Sequence, residues 1–417
     1  MPRPIYINKY LPVAVLYFFF NSLFLPLGLL YTTLLAPLFL VWVIIQKKPT
    51  HLVPYLALTF IFACIHFLNG VDPGYYLQSY LILLTIFIFC VATRTWLLKT
   101  ESLRGLFKSL LLINAVLTVV ALVLLAIPDL RDILWYNNAI TNGVNDVWRL
   151  KMFTYEASYY STVLAPLALY YCLRTFLLKP PRRWLAFFLV IIPLALSLSF
   201  GVILGLLLAI GAVYLSDLRL LTENKKTISY LLLFVTAAAL GIVILFKLNP
   251  ENILFKRIAN VLVGQDTSFR GRTTDSFFIA VEIARKKSLL FGCGPGQVKV
   301  LGIDILRRFY QSDIYTEANT SIPNAVAETL AVFGLAGVLL RFGIEFFFFF
   351  RTRAYRNYYR LSLFILAFFL QFTGSFITNV AEYVIWLLAF TPGLFPEFDR
   401  PPGLARPKSV MASPDHL

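Results

Sequence analysis

The feature that most constrains this chain is a succession of long apolar runs separated by short basic connectors. The hydrocarbon core of a bilayer is about 30 Å thick, and a helix crosses it with roughly 20 apolar residues. Twelve stretches meet or approach that length: 11–27, 30–45, 52–69, 76–93, 105–127, 154–173, 184–198, 201–216, 228–246, 323–343, 361–378 and 380–395. The runs at 184–198 and 201–216 are short and share the turn Ser199-Phe200-Gly201, which reads as a tight hairpin. Hydrophobic residues make up 59% of the 417 and charged residues only 14%. An average soluble domain is nearer half apolar and a quarter charged. A soluble enzyme could not bury this much apolar surface, and a disordered chain would not carry it. The expected fold is an all-α polytopic membrane protein with about twelve transmembrane helices.

The connectors give an orientation, because Lys and Arg accumulate in cytoplasmic loops. Of the 37 basic residues, 22 fall in alternate connectors and at the two ends of the chain. The short loops between them, near Leu27–Leu29, Gly70–Gly74, Ser199–Gly201 and Asn379, carry none. Both termini are therefore expected in the cytoplasm, as an even number of spans requires. Met1–Tyr10 leads straight into a span with no small-residue cleavage site, so no cleaved signal is expected.

Two segments on the external side break this economy. Residues 128–153 hold Arg131, Arg149 and Lys151, and residues 248–322 form a long loop with ten basic and seven acidic residues. Long loops translocate largely regardless of charge, and loops of such length are usually functional. The expected organisation is nine helices within 1–247, a large external loop at 248–322, three helices within 323–395 and a cytoplasmic tail at 396–417. Cys64, Cys90 and Cys172 fall in spans and Cys293 lies alone outside, so no disulfide framework is expected. His51, His66 and His416 all lie outside the external loops, which argues against a histidine metal site there.

Several external residues could carry chemistry. Asn249-Pro250-Glu251 resembles a helix start, with Leu254, Ile258, Val261 and Leu262 on one face. A second helix is expected from Thr274 to about Ser288, with Phe277, Phe278, Val281 and Ala284 apolar and Arg285, Lys286 and Lys287 polar. Each helix either packs over the bundle mouth or lies in the membrane interface. Arg270 and Arg272 stand among small residues, where a planar guanidinium can grip phosphate oxygens or simply face solvent. Gly292-Cys293-Gly294-Pro295-Gly296 lacks the spacing of a nucleotide loop and reads as a sharp turn. Arg149 and Glu156 are seven residues apart and would share a face if a helix began early. Glu156 near the end of one span and Glu328 inside another are costly unless partnered or facing a cavity. Asn324 and Glu328, at i and i+4, share a face behind Pro323, and serve either a cap or a site.

Taken together, these segments resemble the bacterial O-antigen polymerase and O-antigen ligase superfamily of membrane glycosyltransferases. The matching elements are Arg149 with Glu156-Ala157-Ser158, and the hairpin Leu196-Ser197-Leu198-Ser199-Phe200-Gly201. Arg272, Ala280, Ala284 and Gly292–Gly296 follow, and then Pro323-Asn324, Glu328, Gly334 and Gly337. The likeness covers roughly residues 148–340. Two departures from the ligase pattern stand out: Pro323 replaces a histidine before the Asn, and Phe200 replaces an arginine in the hairpin turn. Both favour a polymerase.

The resemblance implies transfer of a glycan from an undecaprenyl-diphosphate carrier onto the next lipid-linked repeat unit, at the periplasmic face of the inner membrane. Arg149, Arg270 and Arg272 would bind the donor diphosphate and offset developing charge without a metal or cofactor. Glu156 and Glu328 are the candidate bases, and Tyr155 and Asn324 the candidate substrate contacts. A chain-length regulator is a possible partner, and no nucleic acid is expected. The alternatives are the ligase itself, with lipid A-core as acceptor, and a lipid-linked oligosaccharide flippase. A long external loop, with no repeated halves, disfavours the flippase.

Overall fold

A computed structural model describes residues 31–46, 52–137, 148–220, 267–317 and 319–400. Its framework is almost wholly helical. Of the twelve expected spans, 11–27 and 228–246 lie outside the described residues, as do the helix expected from Asn249 and the tail beyond Arg400. Each of the other ten coincides with a helix. These are α1 (Tyr31–Ile45), α2 (Leu52–Leu68), α3 (Pro73–Leu97), α4 (Arg104–Leu125), α6 (Ala157–Leu173), α7 (Arg183–Leu196), α8 (Phe200–Ser216), α12 (Ala325–Arg351), α13 (Tyr358–Leu370) and α14 (Val380–Phe390). The intervening α5 (Pro128–Leu134) is short. Among the described residues four helices, α3, α4, α12 and α6 with its continuation to Leu178, are long and apolar enough to cross a membrane. The chain is a helical membrane protein by these criteria.

The helix α6 is the hub. Every residue of α6 except Ser158 is buried, and it packs against α7, α8, α13 and α14. A helix apolar all round belongs inside a bundle. The Tyr359 hydroxyl of α13 donates to the Pro166 carbonyl of α6 at 3.0 Å and ties the two helices together. Conversely α1, α2, α4 and α7 expose rows of Leu, Ile, Val and Phe, the surface that lipid would cover.

The connectors sort to two ends of the bundle. At the end expected to be cytoplasmic, Arg104 forms a two-pronged pair with Glu397, at 2.8 and 2.7 Å. Nearby, Tyr358 donates to Asp217 at 2.5 Å and Asn357 to Asp399 at 2.8 Å. At the opposite end a two-stranded hairpin, β1 (Trp135–Tyr136) with β2 (Arg149–Leu150), closes the gap between α5 and α6. The described part of the large loop folds there as α9 (Thr267–Arg272), α10 (Thr274–Arg285) and α11 (Val298–Tyr310).

That loop is built into the bundle. Inside α12 the backbone at Gly334 is non-helical (φ 66°, ψ −166°). The interrupted turn offers its groups sideways: Cys293 N donates to Ala331 O at 2.9 Å, Gly294 N to Val332 O at 2.9 Å, and Ala336 N to Leu290 O at 2.9 Å. The approach is too close for side chains. A Cβ on Gly292 would lie 2.4 Å from Val332 backbone, and one on Gly334 2.3 Å from Leu290 O. The glycine turn is thus a plug for a broken helix, consistent with the rule that irregular backbone at membrane depth must be covered by protein. On its other flank Gln297 exchanges hydrogen bonds with the backbone of Asp72, each of 3.0 Å, and Lys287 Nζ donates to Gly70 O at 2.6 Å.

Several expectations need adjustment. The α10 helix buries Ile279, Ala280, Ile283 and Ala284 rather than the Phe277/Phe278 side, and Phe278 stays exposed. It packs against α12 and α11, so its strongest apolar face is spent on protein. The α7–α8 turn is 197–199, with Leu198 in the left-handed region (φ 49°). The expected span 361–378 stops at Leu370, because the small and polar residues of 371–379 form a turn instead.

Candidate functional site

At the loop end of the bundle, six separated segments meet: β2, the start of α6, the α7–α8 turn, α9, the start of α12, and the 371–379 turn. Glu156 caps α6 in extended conformation (φ −148°, ψ 145°), and its side chain makes no capping bond. The carboxylate accepts instead from the Ser158 hydroxyl and lies 3.8 Å from the Arg272 guanidinium. The helix N-terminus adds partial positive charge to the same spot. The side chains of Arg272 and Glu156 are 40% and 26% exposed. The pair is therefore loose and open, beyond hydrogen-bond distance. Tyr155 sits beside it, its ring tilted against that of Tyr159 at 5.0 Å between centroids.

Arg272 is held from behind. Asn324 donates through Nδ2 to Arg272 O at 2.9 Å and to Phe372 O at 2.8 Å, while its Oδ1 accepts from Ala327 N at 2.9 Å as the cap of α12. Asn324 is fully buried with its amide fully used. Its bonding capacity goes to fixing α9 and the 371–379 turn. Pro323 falls ahead of the cap rather than in the first turn. The Arg272 side chain lies over Gly374 (φ +135°), where a Cβ would come within 3.3 Å of it.

The two arginines of α9 part company. Arg270 pairs with buried Asp275 at 3.3 Å, and Asp275 also accepts from Tyr310 at 3.4 Å. Burial, and then the Asp275 charge, push the Tyr310 phenol up. Arg270 is nonetheless half-exposed on the same short helix as Arg272.

Arg149 and Glu156 do not share a helical face. The chain is a β-strand at Arg149 and extended at Glu156, so the helix begins too late. Arg149 Nε donates instead to Ser197 O at 3.1 Å. Ser197 Oγ accepts from Ser161 Oγ at 2.6 Å. The serine hairpin thus ties Arg149 to α6, one turn below Glu156. Glu328 lies on the far side of the turn, with Oε2 accepting from Ile377 N at 2.7 Å.

The 371–379 turn is the element that sequence reasoning missed. The signal was present: Thr373-Gly374-Ser375 and Thr378-Asn379 interrupt an apolar run with residues that favour turns. Also unforeseen was the depth of its anchoring. Arg341, midway along α12, donates to Gln371 at 2.6 Å, Glu382 at 2.8 Å and Glu345 at 3.1 Å.

In chemical terms, the site offers one guanidinium beside a carboxylate on a helix N-terminus, two further arginines nearby and a second carboxylate behind. Compared with known proteins, the chain matches no family model and no curated protein.

Proposed function

We propose that the protein is a membrane glycosyltransferase that polymerises lipid-linked oligosaccharide repeat units of a bacterial surface polysaccharide. The observation that carries this reading is the convergence of Arg272 with Glu156, bracketed by Arg149 and Asn324. Glu156 and Arg272 come from segments more than a hundred positions apart, and all four residues are ones the superfamily resemblance singles out. In this reading the bundle has twelve spans in the bacterial inner membrane, with both termini cytoplasmic and the loop 248–322 in the periplasm.

The physics suits the chemistry. A glycosyl donor on undecaprenyl diphosphate leaves as an anion at the membrane surface, and preorganised guanidiniums offset that charge. Arg272 has its guanidinium partly open to such a ligand. Arg270 lies two residues away on the same short helix, and Arg149 is tied to α6 through the serine hairpin. The acceptor hydroxyl needs a base within hydrogen-bond reach. Glu156 stands at the open end of α6 beside Arg272, and Glu328, whose carboxylate accepts the Ile377 N–H, is the second candidate. Tyr155 flanks the base and supplies an aromatic face to a sugar ring. Phe200 and Pro323, at the places of a ligase arginine and histidine, favour a polymerase over a ligase.

The test is a deletion strain analysed on a polysaccharide gel. Loss of a polymerase leaves a single repeat on lipid A-core. Loss of a ligase leaves no attached glycan while lipid-linked polymer accumulates. Loss of a flippase gives neither product. Either of the last two patterns overturns the polymerase reading.

A further inference from the structure

A second polar cluster of the described bundle lies behind the site. Arg341 is almost buried, as are its partners Glu345 and Glu382. One guanidinium reaches four side chains on three helices: Glu345 at 3.1 Å and Thr329 at 3.4 Å on its own α12, Gln371 at the end of α13 at 2.6 Å, and Glu382 in the first turn of α14 at 2.8 Å. Gln371 Nε2 in turn donates to the other oxygen of Glu345 at 3.1 Å.

What lies between two of these partners matters most. Gln371 and Glu382 bracket the 371–379 turn, so Arg341 grips the chain on entry to the turn and just after its exit. Within the turn, Phe372 O accepts from Asn324, Gly374 lies against the Arg272 side chain, and Ile377 N donates to Glu328. The backbone of Gln371 is itself pinned, its O accepting from Val326 N at 3.3 Å. Three of these turn contacts end on residues of the candidate site, and both ends of the turn hang on one side chain.

We propose that Arg341 is a positioning residue: it clamps the 371–379 turn and thereby sets where Arg272 and Glu328 stand at the loop end of the bundle. Its relevance to glycosyl transfer rests on the function proposed above; its effect on the turn does not. Only arginine has the planar fork to serve separate acceptors at once. A lysine at 341 would keep the charge but hold one or two partners.

The test reads the turn directly. Ser375 is 2% exposed, so a Ser375→Cys thiol should react slowly with a maleimide added to the detergent-solubilised protein. Labelling is compared with the same protein lacking that substitution, which removes any contribution from native cysteines. Arg341→Lys is expected to speed labelling at 375 by about tenfold or more through local opening of the turn. Gln371→Leu, which unhooks one end while leaving the Arg341 ion pairs, should do the same to a lesser degree. It serves alone if Arg341→Lys does not accumulate. The control is Arg360→Met, which removes another buried arginine whose bonds run to Ala389 O and Thr352 at the opposite end.

Labelling that rises with Arg341→Lys or Gln371→Leu, and not with Arg360→Met, supports the clamp. Unchanged labelling in the first two, or an equal rise in all three, overturns it. A separate arm uses polymer length: Arg341→Lys should shorten chains in the native background and add nothing to Arg272→Ala. If deleting the gene leaves the polysaccharide unaltered, the functional reading fails while the labelling result still stands.

Discussion

Two arginine–carboxylate clusters lie along the same line of helices, and they are built to opposite specifications. Around Arg341 the side chains are 14%, 8% and 4% exposed, and all three guanidinium nitrogens donate to protein side chains. Around Arg272 the one carboxylate stands 3.8 Å off and both groups are partly open. A closed cluster in a low-dielectric interior organises the chain, and removing one partner strands the others. An open pair at a surface contributes little to stability, because solvent screens it. It keeps its charge available to a ligand instead. The molecule thus separates the arginine that shapes the site from the arginine that would use it.

The predictions probe that separation. The largest stability effect is expected for Arg341→Met, which leaves Glu345 and Glu382 buried without a cation. It should cost about 3–5 kcal/mol, read as a lowered unfolding midpoint in detergent or as loss of the protein from membranes. Next comes Gly292→Ala, which puts a methyl into Val332 backbone at a positive φ. It should cost about 1–3 kcal/mol and detach the glycine turn from α12.

Cys293 reports on that detachment. Burial pushes its thiol up to about 12, and thiolate is the reactive form. In the native protein it should resist maleimide near neutral pH. In Gly292→Ala it should react measurably, and equal rates in both would contradict the plug. The smallest stability effects are expected at the open pair. Arg272→Ala and Glu156→Gln should each move stability by no more than about 1 kcal/mol, while abolishing chain elongation. A large loss of stability in either would make the open pair structural and erase the contrast.

The sequence made the closed parts of the fold easier to read than the open ones. Ten expected spans reappear as helices because apolar runs report directly on length and burial. Boundaries failed where a few polar residues decide the backbone: the run 361–378 hid the turn after Leu370, and the glycines at 292 and 334 concealed a broken helix. Helix α11 was read as loop, although Val298, Ile305 and Leu306 fall on one buried face. Its central Gly302 and flanking charges masked the pattern. Among site residues, Glu156 and Arg272 were selected separately, yet nothing in their spacing could reveal that they meet. Arg149 and Glu156 were paired through an assumed helix, whereas a strand stands there. Asn324 illustrates a further limit: its i,i+4 relation to Glu328 suggested a shared site, but its bonds run to Arg272 O and Phe372 O, which only the folded chain brings near.

The most direct measurement is complementation of the deletion strain with Arg272→Ala, read as the polysaccharide ladder alongside membrane-protein abundance. The account predicts normal abundance with the ladder collapsed to a single repeat unit. A ladder of native length at normal abundance would contradict it.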